Sequence, residues 1–344
     1  MVNVRTQRKE GYNPSRKKLQ KKHLSRLPFY QKDLYGRDMN IYQALDDIPE
    51  NAKNAVVAIG NFDGVHRGHQ ALLSKAKDIA SEKNLSLGVL TFEPHPKRLF
   101  RPDDPPNRIT PPPVKHWRLE EFGVETLFSI PFDWDFASQS ADDFIQHVLK
   151  NGIGAAHVVV GEDFCFGQLR KGAPADIEKS GIPTTAIEKI AGDDAQIFSS
   201  SNVRQALRSG DLDAANEILG WDWEMRGEIV KGDQRGRELG YPTANVHLGE
   251  TVHPAYGVYA SLVQIEGETQ WRPAATNIGI RPMFEIPTAQ VESYIFDFDE
   301  EIYGKILRTR PVKRLRSEAK FNSLDDLIVQ MNKDCQQARE ILSS

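Results

Sequence analysis

Between residues 55 and 190 the apolar positions alternate between two periods. Short unbroken runs, AVVAIG at 55–60, LGVLTF at 87–92, TLFSIPF at 126–132 and HVVVG at 157–161, are separated by segments whose apolar residues recur every three or four places. Leu72, Leu73, Ala76, Ile79 and Ala80 form one such stripe, and another helix is expected around Phe144–Leu149. This alternation predicts βαβ units and a parallel sheet. From about Trp221 the pattern changes to short β-rich runs, GEIVKG, YGVYASLVQI and VESYIFDF, broken by Gly, Pro and charged turns. These predict an antiparallel barrel or sandwich. The segment from Ser323 to Leu342 predicts a closing helix, with Ser323 and Asp326 as a capping pair and Leu327, Ile328 and Met331 on one face. PDDPPNRITPPP at 102–113 predicts a long loop, read as a rigid connector rather than a substrate lid.

The length of 344 residues suits two domains, and an apolar fraction of 39% with 27% charged residues is that of a folding globular chain. No run approaches the ~18 consecutive apolar residues of a membrane span, and the N-terminus is basic without an apolar signal core. A cytoplasmic location is expected. Cys165 and Cys335 have neither metal-ligand spacing nor a disulfide framework, which agrees with a reducing compartment. The net charge of −4 hides an arm: residues 1–38 carry eleven basic side chains against Glu10, Asp33 and Asp38. Such an arm can meet nucleic-acid phosphates, but a solvated, disordered arm is the preferred reading. The expected division is therefore an arm at 1–38, a first domain at 39–220 and a second at 221–344. No oligomeric state follows.

The strand AVVAIG runs directly into NFDGVHRGH and then a helix, which places that segment at the carboxyl end of a parallel strand, where open α/β sheets bind ligands. Gly60, Gly64 and Gly68 let the backbone approach a ligand closely, while helix-start amides and the imidazoles of His66 and His69 can meet phosphate oxygens. The expectation is an ATP-phosphate site without a P-loop. In SSSNVR at 199–204, serine hydroxyls, helix-start amides and Arg204 make a second anion site, although an ordinary serine N-cap reads the same way.

His66, Gly68 and His69 resemble the H-x-G-H nucleotidyltransferases. With GNFDGVHRGHQ at 60–70, TFEPHP at 91–96, VVGEDFCFG at 159–167 and SSSNVR, the first domain is similar to the adenylyltransferase half of the bacterial bifunctional riboflavin kinase/FAD synthetases. The resemblance implies a Rossmann-like nucleotidyltransferase fold and adenylyl transfer from ATP to FMN, giving FAD and pyrophosphate. It implies that Asn61, Asp63, His66 and His69 line the ATP site beside Gly60. It further implies that Ser200, Ser201 and Arg204 hold phosphates from the opposite side, and that Asp163 contacts the adenosine part or its metal. Two departures are Ser201, where the family usually has Thr, and APADIEKS between Gly172 and Gly181, which is shorter than usual beside the flavin-side wall.

GEIVKGDQRGRELGYPTANV at 227–246 is neither a GxGxxG nor a GxxxxGK[ST] motif, which excludes Rossmann dehydrogenase and P-loop kinase readings. Thr243 and Asn245, two apart on an extended segment, face the same way and offer oxygens that suit Mg²⁺; on the residues alone, a turn and an edge strand serve as well. PTAN at 242–245, PAYGVYAS at 254–261, TNIGIRP at 276–282, VESYIFDFDEEIYG at 291–304 and KRLRSEAKFNSLDDL at 313–327 resemble a riboflavin kinase domain. That likeness implies an antiparallel β-barrel with a C-terminal helix and ATP-dependent phosphorylation of riboflavin to FMN, with Thr243 and Asn245 as Mg-ATP ligands and Glu292 as the base for the 5′-hydroxyl. Met283 departs from the usual Thr. The likeness to the bifunctional family runs from about Met39 to Leu342, so the arm is expected to be dispensable for catalysis. Competing readings are a chain with one working half, or a flavin- or RNA-binding regulator on inactive domains; intact His66, His69, Arg204, Thr243, Asn245 and Glu292 argue against the latter.

Overall fold

The computed structural model describes residues 39–192, 197–232, 236, 239–281 and 288–343. The basic arm and Met283 lie outside the described residues.

The first sheet contains β1 (Asn40–Tyr42), β2 (Val56–Ile59), β3 (Leu87–Glu93), β4 (Thr126–Pro131), β5 (His157–Gly161) and β6 (Thr184–Ile187), in the order β1-β4-β3-β2-β5-β6 and parallel throughout. Its four central strands, β2 to β5, read as nearly unbroken apolar runs because both faces are covered, while the edge strands β1 and β6 are partly exposed. Val56 and Ala58 pack with Leu72, Leu73, Ala76, Ile79 and Ala80 of helix α1 (Arg67–Lys83), which is the predicted stripe. Val57 and Ile59 face the other way, against Phe144, Ile145, Val148 and Leu149 of a π-helical stretch over Phe144–Gly152. Each such buried Leu, Ile or Phe contributes on the order of 1.5–3 kcal/mol. After β2 the chain crosses to β3 on one side, and later to β5 on the other. The carboxyl ends of β2 and β5 therefore flank the topological switch point, the usual ligand crevice of such sheets. The short APADIEKS segment forms a helix at Pro174–Lys179, closed at its start by a bridge between Phe166 and Gly172.

The second sheet contains β7 (Met225–Glu228), β8 (Ala244–His247), β9 (Gly257–Ile265), β10 (Arg272–Arg281), β11 (Thr288–Ile295) and β12 (Ile306–Arg316), antiparallel in the order β7-β12-β9-β10-β11-β8. A bridge from Val230, just past β7, to Asn245 on β8 brings the two edges together, so the sheet is a nearly closed barrel. Between the sheets stand α2 (Pro112–Glu121), α3 (Ser200–Ser209) and α4 (Leu212–Leu219). The closing helix α5 (Leu324–Leu342) starts as predicted, with the Ser323 hydroxyl accepting from the Asp326 amide at 3.1 Å. Its anchorage differs from the expected Leu327–Ile328–Met331 stripe. Those three are only half-buried, whereas Ala338 packs on Ala260, Ala275 and Phe296, and buried Asp334 receives Arg316 at 2.7 Å. The barrel's outer face offers α5 an arginine as well as small apolar residues, and the helix meets both.

The barrel shares a core with α3 and α4. One cluster runs from Val203 and Leu207 on α3 and Ile218 and Leu219 on α4, through Trp223 and Met225, to Tyr259, Val291 and Leu307 of the barrel. Beside it, Glu224 is fully buried and receives Arg226, Arg308 and Arg310, with Arg226 lying 4.4 Å over the ring of Trp117 on α2. Burial by itself would raise the Glu224 carboxyl, but the arginines outweigh it and hold the group below its ordinary value.

Candidate active sites

The segment after β2 is a tight turn in which Phe62, Gly64 and Val65 have φ of 50°, 90° and 40°. A positive φ is unfavourable for Phe and Val, so the turn persists because its surroundings hold it. Thr91 donates to the Asn61 carbonyl at 3.2 Å, Ser200 donates to the Asp63 carbonyl at 2.7 Å, and the Gly64 amide donates to the Thr110 hydroxyl at 2.8 Å. At Gly60 a Cβ would stand 3.3 Å from the Phe62 ring. At Gly68 a Cβ would stand 3.0 Å from the Phe198 carbonyl, which lets the start of α3 lie against the start of α1.

His66 occupies the N-cap of α1 without a side-chain capping bond, so the first-turn amides have no side-chain cap to satisfy them. The His66 and His69 rings stack at 3.7 Å, and each carries a buried Nδ1 with no partner among the described residues. Burial lowers His66 to about 4, with Asp63 opposing and Arg204 assisting. Burial, then His66, Lys115 and Arg204, hold His69 well below its ordinary value. Both rings are therefore neutral near pH 7, each able to donate one hydrogen bond to an anion.

Asp63 is buried and committed. Its Oδ1 accepts from the amides of Ile109 and Thr110 at 2.9 and 3.0 Å, and its Oδ2 pairs with Arg204. Arg204 also donates Nε to the Asn107 carbonyl at 2.6 Å. In this arrangement Asp63 orients Arg204 and anchors the end of the proline-rich segment. That segment connects the helix at Pro96–Phe100 to α2, and its end packs along the site through Asp63 and Arg204. Behind it, Glu93 accepts from Lys115 at 2.6 Å and from Arg108 at 2.9 Å, and Lys115 reaches Thr91 at 3.2 Å. Burial would raise Glu93, but Lys115 and Arg108 together outweigh it and hold the carboxyl at about 2.

The structure thus gathers Gly60, Asn61, Asp63, His66, His69, Ser200 and Arg204 at one crevice. Ser199 caps α3, leaving Ser200 to tie the Asp63 carbonyl, while Ser201 is exposed on the first turn. Asp163, two residues past β5, is exposed and pairs with Lys189 at 3.0 Å. Sequence reasoning missed Glu93, Arg108 and Lys115. Glu93 stood inside the quoted TFEPHP, and a charged residue at the end of a buried strand was the available signal.

In the barrel, the register places Glu292 directly opposite Asn245 on β8 and Asn277 on β10, so the three share one face. Asn245 donates Nδ2 to the Thr243 carbonyl at 2.9 Å and approaches the Thr243 hydroxyl at 3.4 Å. Its Oδ1 is buried without a hydrogen-bond partner among the described residues. At Gly232 a Cβ would stand 2.8 Å from the Asn245 side chain, so only glycine lets that loop close over it. An orphaned amide oxygen next to a hydroxyl fits a hard cation that keeps other oxygens of its own. Among the described residues no cluster of three or more His, Cys, Asp or Glu could hold a metal by itself.

A family model described as FAD synthetase matches residues 48–202, and one described as riboflavin kinase matches 219–342. The bifunctional riboflavin kinase/FMN adenylyltransferase of Bacillus subtilis is 40% identical over 309 residues, covering 86% of this chain and 95% of that protein. The protein of the same description from Haemophilus influenzae is 34% identical, covering 89% and 100%, and that from Escherichia coli is 38% identical, covering 84% and 93%. A crystal structure described as a macrolide-efflux protein from Streptococcus pneumoniae has a TM-score of 0.77 at 32% identity, covering 88% of this chain and 99% of that one. No helix among the described residues is long and apolar enough to cross a membrane. With both halves matched in order and full-length relatives at this identity, the chain belongs to the bifunctional riboflavin kinase/FMN adenylyltransferase family.

Proposed function

We propose that the chain makes FMN and FAD in succession, the barrel transferring the γ-phosphoryl group of one ATP to riboflavin and the parallel-sheet half transferring the adenylyl group of a second ATP to FMN. The observation that carries this reading is the separation of two donor sets: His66 and His69 lie within the FAD synthetase match, with Arg204 two residues past its end, and Thr243, Asn245 and Glu292 lie within the riboflavin kinase match. The boundaries that go with it are 39–220 and 221–344.

In the barrel, Glu292 is assigned as the base that receives the proton of the riboflavin 5′-hydroxyl as its oxygen bonds to the γ-phosphorus and ADP departs. Thr243 and Asn245 would hold Mg²⁺ through their oxygens, and the ion supplies charge neutralisation on the phosphates. In the first half, an FMN phosphate oxygen bonds to the α-phosphorus of ATP and pyrophosphate leaves. Neutral His66 and His69, the start of α1, and Arg204 as aimed by Asp63 offer preorganised donors where negative charge grows. Exposed Phe100 and Trp134, packed edge to face beyond TFEPHP, suit a flavin ring. The location proposed is the cytoplasm, which the free thiols of Cys165 and Cys335 support.

The test is incubation of the purified chain with riboflavin, ATP and Mg²⁺, with chromatography of the three flavins over time. FMN is expected to rise first and FAD to follow, with both stopping when the metal is chelated. Riboflavin phosphorylation at full rate under chelation would remove the metal role of Thr243 and Asn245.

The histidine assignment makes its own prediction. In nitrogen NMR of the histidine-labelled free protein, His66 should titrate near pH 4, and neither His66 nor His69 near 6.5. Because folding depresses these values, the unfolded chain takes up the protons first. Stability should fall as pH drops through 6.5, with the His66 share levelling off below about 4. A midpoint near 6.5 for either ring contradicts the neutral pair.

A further inference from the structure

Residues inside the riboflavin kinase match reach across to the segments that shape the adenylylation site. Trp221 donates its indole N–H to the Gly64 carbonyl at 3.0 Å, and Trp223 donates to the Ile109 carbonyl at 3.0 Å. The Val252 amide donates to the Arg108 carbonyl at 2.7 Å, and the Arg108 amide donates to the Glu250 carbonyl at 3.0 Å. The Glu250 carboxylate also accepts from Arg108 Nε at 3.1 Å.

These contacts converge on two elements. Gly64 sits in the turn with three positive φ values, whose shape depends on outside support. Arg108 to Thr110 form a strap with two attachments: the Ile109 and Thr110 amides fix Asp63, which in turn fixes Arg204, and the Arg108 side chain fixes Glu93. Seen from the barrel, one tryptophan holds the turn, while the other tryptophan and the Glu250–Val252 segment hold the strap.

We propose that Trp221 and Glu250, in the kinase half, are positioning residues for adenylyl transfer, so that the FAD-forming site is complete only with the barrel docked against it. The inference rests on the assignment of adenylyl transfer to the site at His66 and His69. Neither residue acts on the phosphates directly; each acts through the Gly64 turn or the strap. In consequence, the adenylyltransferase half separated from the barrel would lose rate by a route distinct from loss of folding.

The test uses the full chain with Trp221→Phe, which keeps a ring beside Arg118 and Trp117 but removes the indole donor, and with Glu250→Gln, which keeps the shape and removes the charge. Loss of one such hydrogen bond corresponds to roughly a five- to tenfold effect. The half-exposed Glu250 pair should weigh less, about two- to threefold. The kcat for FAD formation from FMN should fall by those factors, with KM for ATP nearly unchanged, and kcat and KM for riboflavin phosphorylation should stay at wild-type values. An unchanged kcat for FAD formation in both variants, or a parallel fall in both activities, overturns the proposal. His69→Ala is measured alongside: if that variant makes FAD normally, it is the site assignment that has failed.

Discussion

Glu292→Gln should lower FMN formation from riboflavin by about 10²–10⁴-fold, the range expected when a general base is removed, while leaving FAD formation from supplied FMN in place. The substitution preserves volume and hydrogen-bonding capacity at a position locked by pairing to both neighbours, Asn245 on β8 and Asn277 on β10. The inner face of β11 there carries Val291 and Ser293, both fully buried, and is untouched by a change on the other face. A folding defect is therefore not expected, and circular dichroism should match wild type. What the amide cannot do is take the hydroxyl proton at neutral pH. A folded Glu292→Gln protein that phosphorylates riboflavin at the normal rate would remove Glu292 from this role.

His69→Ala should act on the other step, lowering FAD formation by on the order of 10²-fold or more, since a preorganised donor at developing phosphate charge is lost. Riboflavin should then accumulate as FMN. The half-buried imidazole packs against the rings of His66 and Phe62, so the truncation also frees space in the turn. His69→Gln, which restores a donor and part of the volume, separates these causes. If the loss comes from the missing hydrogen bond, Gln should recover part of the rate; if it comes from collapse of the turn, thermal stability should fall in step with activity. Normal FAD formation by folded His69→Ala would end the assignment.

Both sheets, their order and the position of the phosphate motif at a strand end were legible because they depend on local pattern. Alternating runs and stripes fix which residues can be strands or helices, and glycines with paired histidines after a strand point to a ligand. The match of Asn245 with Glu292 was not legible: residues 47 apart in the chain become neighbours through antiparallel register, which no local signal encodes. Asp63 shows a different limit. Its place in the motif suggested contact with ATP, whereas the fold spends its carboxylate on Ile109, Thr110 and Arg204. The proline-rich segment shows a related limit. Prolines predict an irregular path correctly, but the work is done by Arg108, Ile109 and Thr110 between them, through contacts 15 to 142 residues distant. Likewise, the apolar spacing in α5 located the helix without revealing that an arginine–aspartate pair, Arg316 with Asp334, would fasten it.

The central claim is that one chain carries two chemically independent sites joined by free FMN, and mixing tests it most directly. Glu292→Gln and His69→Ala proteins are each incubated alone with riboflavin, ATP and Mg²⁺, and then together in one tube, with FAD measured by chromatography. Neither alone should make appreciable FAD, the first leaving riboflavin and the second stopping at FMN, while the mixture should make FAD through FMN released by one protein and used by the other. FAD at the wild-type rate from either variant alone, or none from the mixture of two folded proteins, would contradict the account.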